Sequence, residues 1–403
     1  VVLVSAIAVF IIFGIRLSFA VFFAEFVSVE SWSNEAAAGI FSVSMVVFAI
    51  GSTPAGILLD RLGPRIVFSG GSLLLAIGLL LSSQVTSLTQ LMIAYGVIGG
   101  AGLAVIGLGP VAANIAAWTP PARRGRAVGI AFAGTGLGSL IFVPLSTWLI
   151  AQFGWRGAYL VLSGVCFIVL VPLTAFGLQT PPRLKVETHK LRAEKNWRIL
   201  FRNPIFWVLM LVSLNALGPL RALTVHQIAY MESVGVSRQT AASFVGIAGF
   251  LTAGAYIGWG YISDRFGRVW AFTLGGLCLL GSVGVLLLLQ TSRPPVLLMS
   301  YSILVALGEG TRSSQTTAIA SDTFQDSGLG FVNGLVGAMF GLGAAFGPWI
   351  VGRLRDVTDS YLPGFAVVIV MIIISLVGFM IVSRRSAYTH AKAGIAETNI
   401  TFS

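Results

Sequence analysis

The chain has 403 residues, of which 56% are hydrophobic and only 10% charged, whereas about a quarter of the residues of a soluble domain are charged. That composition excludes an ordinary soluble globular domain and points to a membrane protein. The formal net charge of +11, from 25 Lys and Arg against 14 Asp and Glu, is compatible with nucleic acid or an anionic surface, and the placement of the basic residues decides for the membrane.

A helix needs roughly 20 mainly apolar residues to cross about 30 Å of hydrocarbon. Twelve stretches qualify, at approximately 2–26, 35–58, 65–84, 90–117, 126–151, 157–178, 205–230, 239–262, 270–290, 295–319, 329–351 and 363–383. The long polar interruption from Gln179 to Pro204 divides six from six. The expected organisation is therefore an N-terminal six-helix bundle over 1–180, a linker over 181–204, a second bundle over 205–386 and a tail over 387–403. The first apolar run is too long for the core of a signal peptide and no A-x-A-like site follows it, so no cleavable signal is expected. The chain starts at Val1 without a Met, which leaves room for a preceding segment.

Span one carries Arg16 inside the apolar "GIRLSFAVFF", with Phe19, Phe22 and Phe23 following and Glu25 near its outer end, where a solvated carboxylate is expected. Span two ends in "GILLDRLGPR", in which Gly63 permits a tight turn and Asp60, Arg61 and Arg65 stand at a helix end. Span four contributes Asn114. Span five holds the glycine run "GTGLGSLIFVP", which fits close helix packing in lipid better than ligand binding. That run follows no strand, and no G-K-[ST] ending occurs anywhere, so ATP is not expected as a partner. Span seven carries Arg221, with Asn215 and His226 within about 20° of one another around the helix axis. Span eight ends in "GYISDRFGR", span ten carries Glu309 and Arg312 in "GEGTRSSQ", and span eleven holds a second glycine run, "GAMFGLGAAFGP". Cys166 and Cys278 lie within apolar runs, which argues against a disulfide framework or a zinc site. No metal and no other cofactor is expected.

The halves repeat one another. Asp60 and Asp264 are 204 residues apart, as are Pro144 and Pro348, while Arg16 and Arg221 are 205 apart, an offset shared by Ala36-Ala37 and Ala241-Ala242. Such a repeat points to parallel halves of a secondary transporter with a central site between them. Basic loops stay cytoplasmic, and with both termini inside the inner loops collect Arg61, Arg65, Arg123, Arg124, Arg126, Arg265, Arg268 and the basic linker. The outer loops hold only Arg156, Arg238, Arg293, Arg353 and Arg355. The basicity is mostly a topology signal, and nucleic acid is a poor reading.

The G-x-x-x-D-R-x-G-x-R loop and its second copy resemble the signature of the major facilitator superfamily, and the likeness covers essentially the whole chain. "RRGRAVGIAFAGTGLG" followed by "GWRGAY" is similar to the monocarboxylate and oxalate/formate porter branch. The resemblance implies an all-α membrane fold of twelve transmembrane helices in two pseudo-symmetric six-helix bundles, embedded in the bilayer and not an enzyme. It also implies that the repeated loops gate one side, through Gly56, Asp60, Arg61, Gly63 and Arg65 and through Gly260, Asp264, Arg265, Gly267 and Arg268. Spans one, four, seven and ten of that architecture line a central cavity, and Arg16, Arg221 and Arg312 fall on three of them. Spans eight and eleven carry no basic residue, where members of that branch carry substrate-facing cations.

A charge at the bilayer centre costs at least about 2.5 to 3.5 kcal/mol and almost always faces a bundle interior or wet cavity. Glu309 and Arg312 share a helix face and read either as a self-neutralising pair or as a proton-linked, substrate-released one. Arg16 and Arg221 have no acidic neighbour in sequence, so an anionic ligand is the simplest compensation, with pairing to Glu309 or to backbone carbonyls as the alternative. The expected function is secondary active transport of a small organic anion by alternating access, with proton symport or anion exchange. Arg16, Arg221, Arg312, Asn114 and Asn215 are the binding candidates, and Glu309 and His226 the proton-coupling candidates. The alternatives are an exporter of drugs or amphiphiles, suggested by the phenylalanines of span one, and a non-transporting sensor. The expected location is a bacterial inner membrane.

Overall fold

The computed structural model describes residues 1–107, 110, 111, 114, 115, 118, 119, 124–178, 197–324 and 329–400. The linker stretch 179–196 lies outside the described residues, as do Arg123 and the side chains of Gly56, Asp60, Arg124, Arg126, Asp264 and residues 386–400.

The described chain is almost wholly helical. We number the long helices α1 (2–28), α2 (34–62), α3 (64–82), α4 (88–105), α5 (124–153), α6 (155–177), α7 (Pro204–Ser233), α8 (Arg238–Phe266), α9 (Arg268–Leu288), α10 (Pro295–Thr323), α11 (Leu329–Thr358) and α12 (Leu362–Ile400). Three of the turns are single glycines in the left-handed region: Gly63 at φ 79° between α2 and α3, Gly154 at φ 66° between α5 and α6, and Gly267 at φ 92° between α8 and α9. A side chain at those angles is strained, so the two glycines of the repeated D-R-x-G loops have a backbone reason to be there. Wide π-type turns occur at Met92–Gly99 in α4 and Cys166–Leu170 in α6.

Among the described residues, ten helical stretches are long and apolar enough to cross a membrane, one of them the Ile130–Gly177 stretch that Gly154 breaks in two. Helix α10 is as long but less apolar, because Glu309, Arg312 and a run of Gly, Ser, Thr and Gln interrupt it. Large apolar side chains face outward on many helices, including Ile168 and Phe176, each 78% exposed, and Ile257 at 73%. A soluble monomer rarely exposes so much apolar surface; in a bilayer it is the lipid-facing surface.

Close packing follows the glycines, and it follows the repeat. Within the first half α1 lies on α5: a Cβ at Gly138 would strike Phe10 and Gly14 backbone atoms of α1. At the equivalent position 205 residues on, a Cβ at Gly343 would strike the backbone of Leu214 in α7. Two residues earlier, Gly136 and Gly341 face the other half instead, Gly136 against Gly249 and Phe250 of α8, and Gly341 against Ala49 and Met45 of α2. The halves thus meet along two seams, α5 with α8 and α2 with α11.

The described contacts across the seams lie toward one end. Ser42 donates to the Ala345 carbonyl at 2.6 Å, and Gly352 sits against the backbone of Asn34. Toward the linker end, Gly334 and Gly337 of α11 and Gly260 of α8 have no described atom within 4 Å of a Cβ built on them. The halves are together at the end distant from the linker, called the far end below.

Candidate functional site

The glycine contacts set the height of two arginines. Gly138 fixes α1 against α5 just before Arg16, and Gly343 and Gly347 fix α7 against α11 just before Arg221. Each guanidinium is thereby held at the matching level of its half, beside the interface.

Their surroundings differ. Arg221 Nη2 donates to Glu309 Oε1 of α10 at 2.8 Å, with the two side chains 14% and 19% exposed, while its Nε is buried without a partner. Arg16 holds no carboxylate among the described residues: Nη2 meets the Met45 sulfur at 3.1 Å, and the guanidinium lies 5.1 Å from the Phe48 ring and 5.6 Å from the Phe13 ring. Cation–π contacts return about 0.5 to 2 kcal/mol, less than the cost of the charge. Arg16 and Arg221 sense one another electrostatically, with Tyr95 near the first and Tyr256 near the second. Two guanidinium groups and one carboxylate leave the centre with a formal charge of +1.

A cavity of about 30 Å³ lies beside Glu309, lined also by Leu17, Ser139, Thr224, Gln227 and Thr252, and is large enough for a water molecule. Tyr301 donates to Gln227 Oε1 at 2.6 Å at its edge.

Other sequence candidates fall elsewhere. Arg312 does not join the cavity and is not the partner of Glu309. It is fully buried on another face of α10, stacked over Phe272 at 4.3 Å, with Nη1 to Ser375 at 3.2 Å. Its three-residue spacing from Glu309 turns it about 60° away around the helix, enough to send it between α9 and α12. Asn215 donates to the Leu211 carbonyl of its own helix at 2.8 Å. Asn114 is buried with neither amide atom bonded among the described residues, and no contact joins it to Arg16. His226 is fully buried, its Nε2 2.9 Å from the Pro348 carbonyl and its ring edge-on to Phe23. The carbonyl can only accept, so Nε2 carries the proton. Glu25 is not solvated: it is buried and receives a bond from Arg238.

Of the loop residues, Arg268 pairs with Asp322 of α10 at 3.0 Å. Arg265 donates to Tyr261 at 3.3 Å, Arg65 stands over the Phe176 ring, and Arg61 is exposed. The side chains of Asp60 and Asp264 and the surroundings of Gly56 lie outside the described residues, and Gly260 has no described atom within 4 Å of a Cβ built on it. Met45, Phe48, Tyr95 and Tyr256 are neighbours of the arginines that sequence reasoning missed, since each is of a type that recurs in other spans and carries no charge.

A family model described as Major Facilitator Superfamily matches residues 5–311 and 222–402. Monocarboxylate transporter 13 of Rattus norvegicus is 30% identical over 89% of this chain and 82% of its own. The oxalate:formate antiporter of Oxalobacter formigenes is 31% identical over 57% of this chain and 54% of its own. Among solved structures, a nucleoside transporter superposes with a TM-score of 0.79 at 14% identity, covering 94% of this chain and 99% of that one. A bacterial homologue of the human lysosomal transporter Spinster, in an inward-facing and occupied conformation, gives 0.74 at 14% identity over 95% and 96%. These structures share the fold.

Proposed function

The chain belongs to the major facilitator superfamily of multi-pass membrane transporters, and from that premise we propose that it moves a small organic anion across the membrane by alternating access. The observation that carries this reading is Arg16, a guanidinium beside the interface of the halves with sulfur and aromatic rings about it and no bonded carboxylate. An incoming carboxylate supplies the missing charge, and with Glu309 ionised one negative charge neutralises the site. The names of the relatives agree in class: monocarboxylates for one and oxalate and formate for another. A net-positive centre disfavours the cationic drugs that an exporter of this fold would carry.

Arg16 and Arg221 are the binding groups of this proposal. Glu309 is its coupling group: held on Arg221, it competes with the substrate for that cation, and protonation removes the competition. Substrate and proton then load together, which favours symport over exchange. His226 is a weaker coupling group, enclosed by aromatic rings and bonded to a carbonyl. The linker end, rich in Lys and Arg, is assigned to the cytoplasm with both termini, in the plasma membrane. The repeated D-R-x-G loops are assigned to the gating of that mouth.

The test is counterflow of labelled small carboxylates in proteoliposomes. Arg16→Ala is expected to reduce it at least a hundredfold with the protein still folded by size-exclusion chromatography. Counterflow at the parent rate in that variant refutes the anion site.

A further inference from the structure

At the far end a single carboxylate joins the two halves through a helix terminus. Asp356, in the last turn of α11, accepts from the backbone N–H of Asn34 at 2.8 Å and from its Nδ2 at 2.9 Å with one oxygen, and from the backbone N–H of Glu35 at 2.6 Å with the other. These are first-turn donors of α2, which have no partner within their own helix. Ser33, the residue before α2, accepts from Ala36 N at 3.1 Å, so the chain caps part of its own helix and takes the rest of its cap from the opposite half.

We propose that Asp356 is the pin of the far-end gate, holding the transporter closed on that side by capping α2 across the seam, and that opening to that side requires its release. The bonds around it cross the same seam: Arg353 donates to Glu35 at 2.8 Å, and Tyr361 donates to Asn34 Oδ1 at 3.1 Å. Burial pushes the Tyr361 phenol above its ordinary pKa, so it remains a donor. A further link between the halves is Arg238 of α8, which joins Glu25 and Ser28 of α1 and is steadied by Glu232 at 2.8 Å. Beside these bonds, on the far-end surface, lies an open cavity of about 290 Å³ bordered by Val27, Ser28, Asn34, Glu232 and Tyr361.

The choice of a helix cap suits a joint that must open. When the halves part, the released N–H groups and the carboxylate pass to water, and α2 keeps its Ser33 cap, so neither helix unwinds. An apolar contact of equal strength would leave oily surface in the mouth. The charged helix terminus also gives direction, since a carboxylate is favoured at an N-terminus and there alone. Arg353 contributes less, because its side chain is 56% exposed and such pairs are weak.

This inference rests on the alternating-access reading, but its test uses no substrate. Val27→Cys places a thiol in the cavity wall, in a Cys278→Ser background where the remaining Cys166 is buried. Full-length protein in nanodiscs is then treated with a membrane-impermeant maleimide. Loss of a cap shifts an equilibrium by roughly five- to tenfold, so Asp356→Ala is expected to speed labelling by about that factor, Asp356→Asn less, and Arg353→Gln less than twofold. Labelling of the folded Asp356→Ala protein within twofold of parent overturns the proposal. Should that variant fail to fold, the Asn34→Cys, Asp356→Cys pair is oxidised instead: the cross-link is expected to suppress labelling of Val27→Cys, and unchanged labelling of the cross-linked protein overturns it.

Discussion

Replacing Glu309 by Gln removes the carboxylate that Arg221 holds at 2.8 Å across α7 and α10. Two unit charges about 4 Å apart attract by about 4 kcal/mol at an effective dielectric constant near 20, and breaking a fully buried pair costs about 3 to 5 kcal/mol. The pair is partly exposed, and the Gln carbonyl still accepts from the guanidinium. The net loss of stability expected is therefore about 1 to 2 kcal/mol, discounted for solvent screening. Anion binding moves the other way. With Glu309 gone, nothing competes for Arg221, and a competitor worth about 1.4 kcal/mol corresponds to a tenfold gain in affinity. Uptake in the parent is expected to be driven by an inward proton gradient, because under the coupling proposal a proton carried on Glu309 frees Arg221. In Glu309→Gln that dependence should disappear while exchange of anion for anion persists. The assay is initial uptake and counterflow in proteoliposomes with and without an imposed proton gradient. If Glu309→Gln retains the parent's dependence on the gradient, Glu309 is not the coupling group.

Arg312→Met is expected to leave substrate affinity within about twofold of parent, because the side chain lies against Phe272 and Ser375, away from the centre. A well-packed apolar replacement of a buried charge is often neutral or stabilising by about 1 to 4 kcal/mol, so thermal unfolding in detergent should show no loss; a large loss of affinity would return Arg312 to the site. Gly343→Ala drives a Cβ into the Leu214 carbonyl, and overpacking of this kind costs about 1 to 3 kcal/mol. Thermal unfolding should report it, whereas Gly337→Ala, with open space around it, should unfold like the parent.

The helical segments, the basic linker, the two-fold repeat and the glycine turns were legible because each rests on local chemistry. Runs of about 20 apolar residues define a span, and a left-handed turn asks for Gly63 or Gly267. Arg16 and Arg221 stood out because charge is costly in lipid, and their common offset placed them at one level. The pairing of Arg221 with Glu309 was legible only as the lesser alternative to an anionic ligand. Sequence spacing compares residues along one helix, which paired Glu309 with Arg312, whereas the pairing across helices depends on how α10 is rotated. That rotation is set by contacts such as Ala255 and Trp259 against Gly310. The same limit hid the bond between Arg238 and Glu25, 213 residues apart. Met45 and Phe48 were invisible for another reason: their types are ordinary in a membrane helix, and only proximity to Arg16 gives them meaning.

Gly341 packs against Ala49 and Met45 on the α2–α11 seam. At 1.5 Å per residue, Asp356 lies roughly 22 Å beyond that contact in one direction and the start of α11 roughly 18 Å in the other. Under the proposed alternating access the contact serves as a fulcrum near the midpoint of α11, and a helix turning as one piece by about 5 Å at its linker end would lift Asp356 from Asn34 by roughly 6 Å, twice the reach of a hydrogen bond. Pro348 lies on the arm between the fulcrum and Asp356 and removes one backbone hydrogen bond there, so the lever that would couple the two mouths carries one weakened turn.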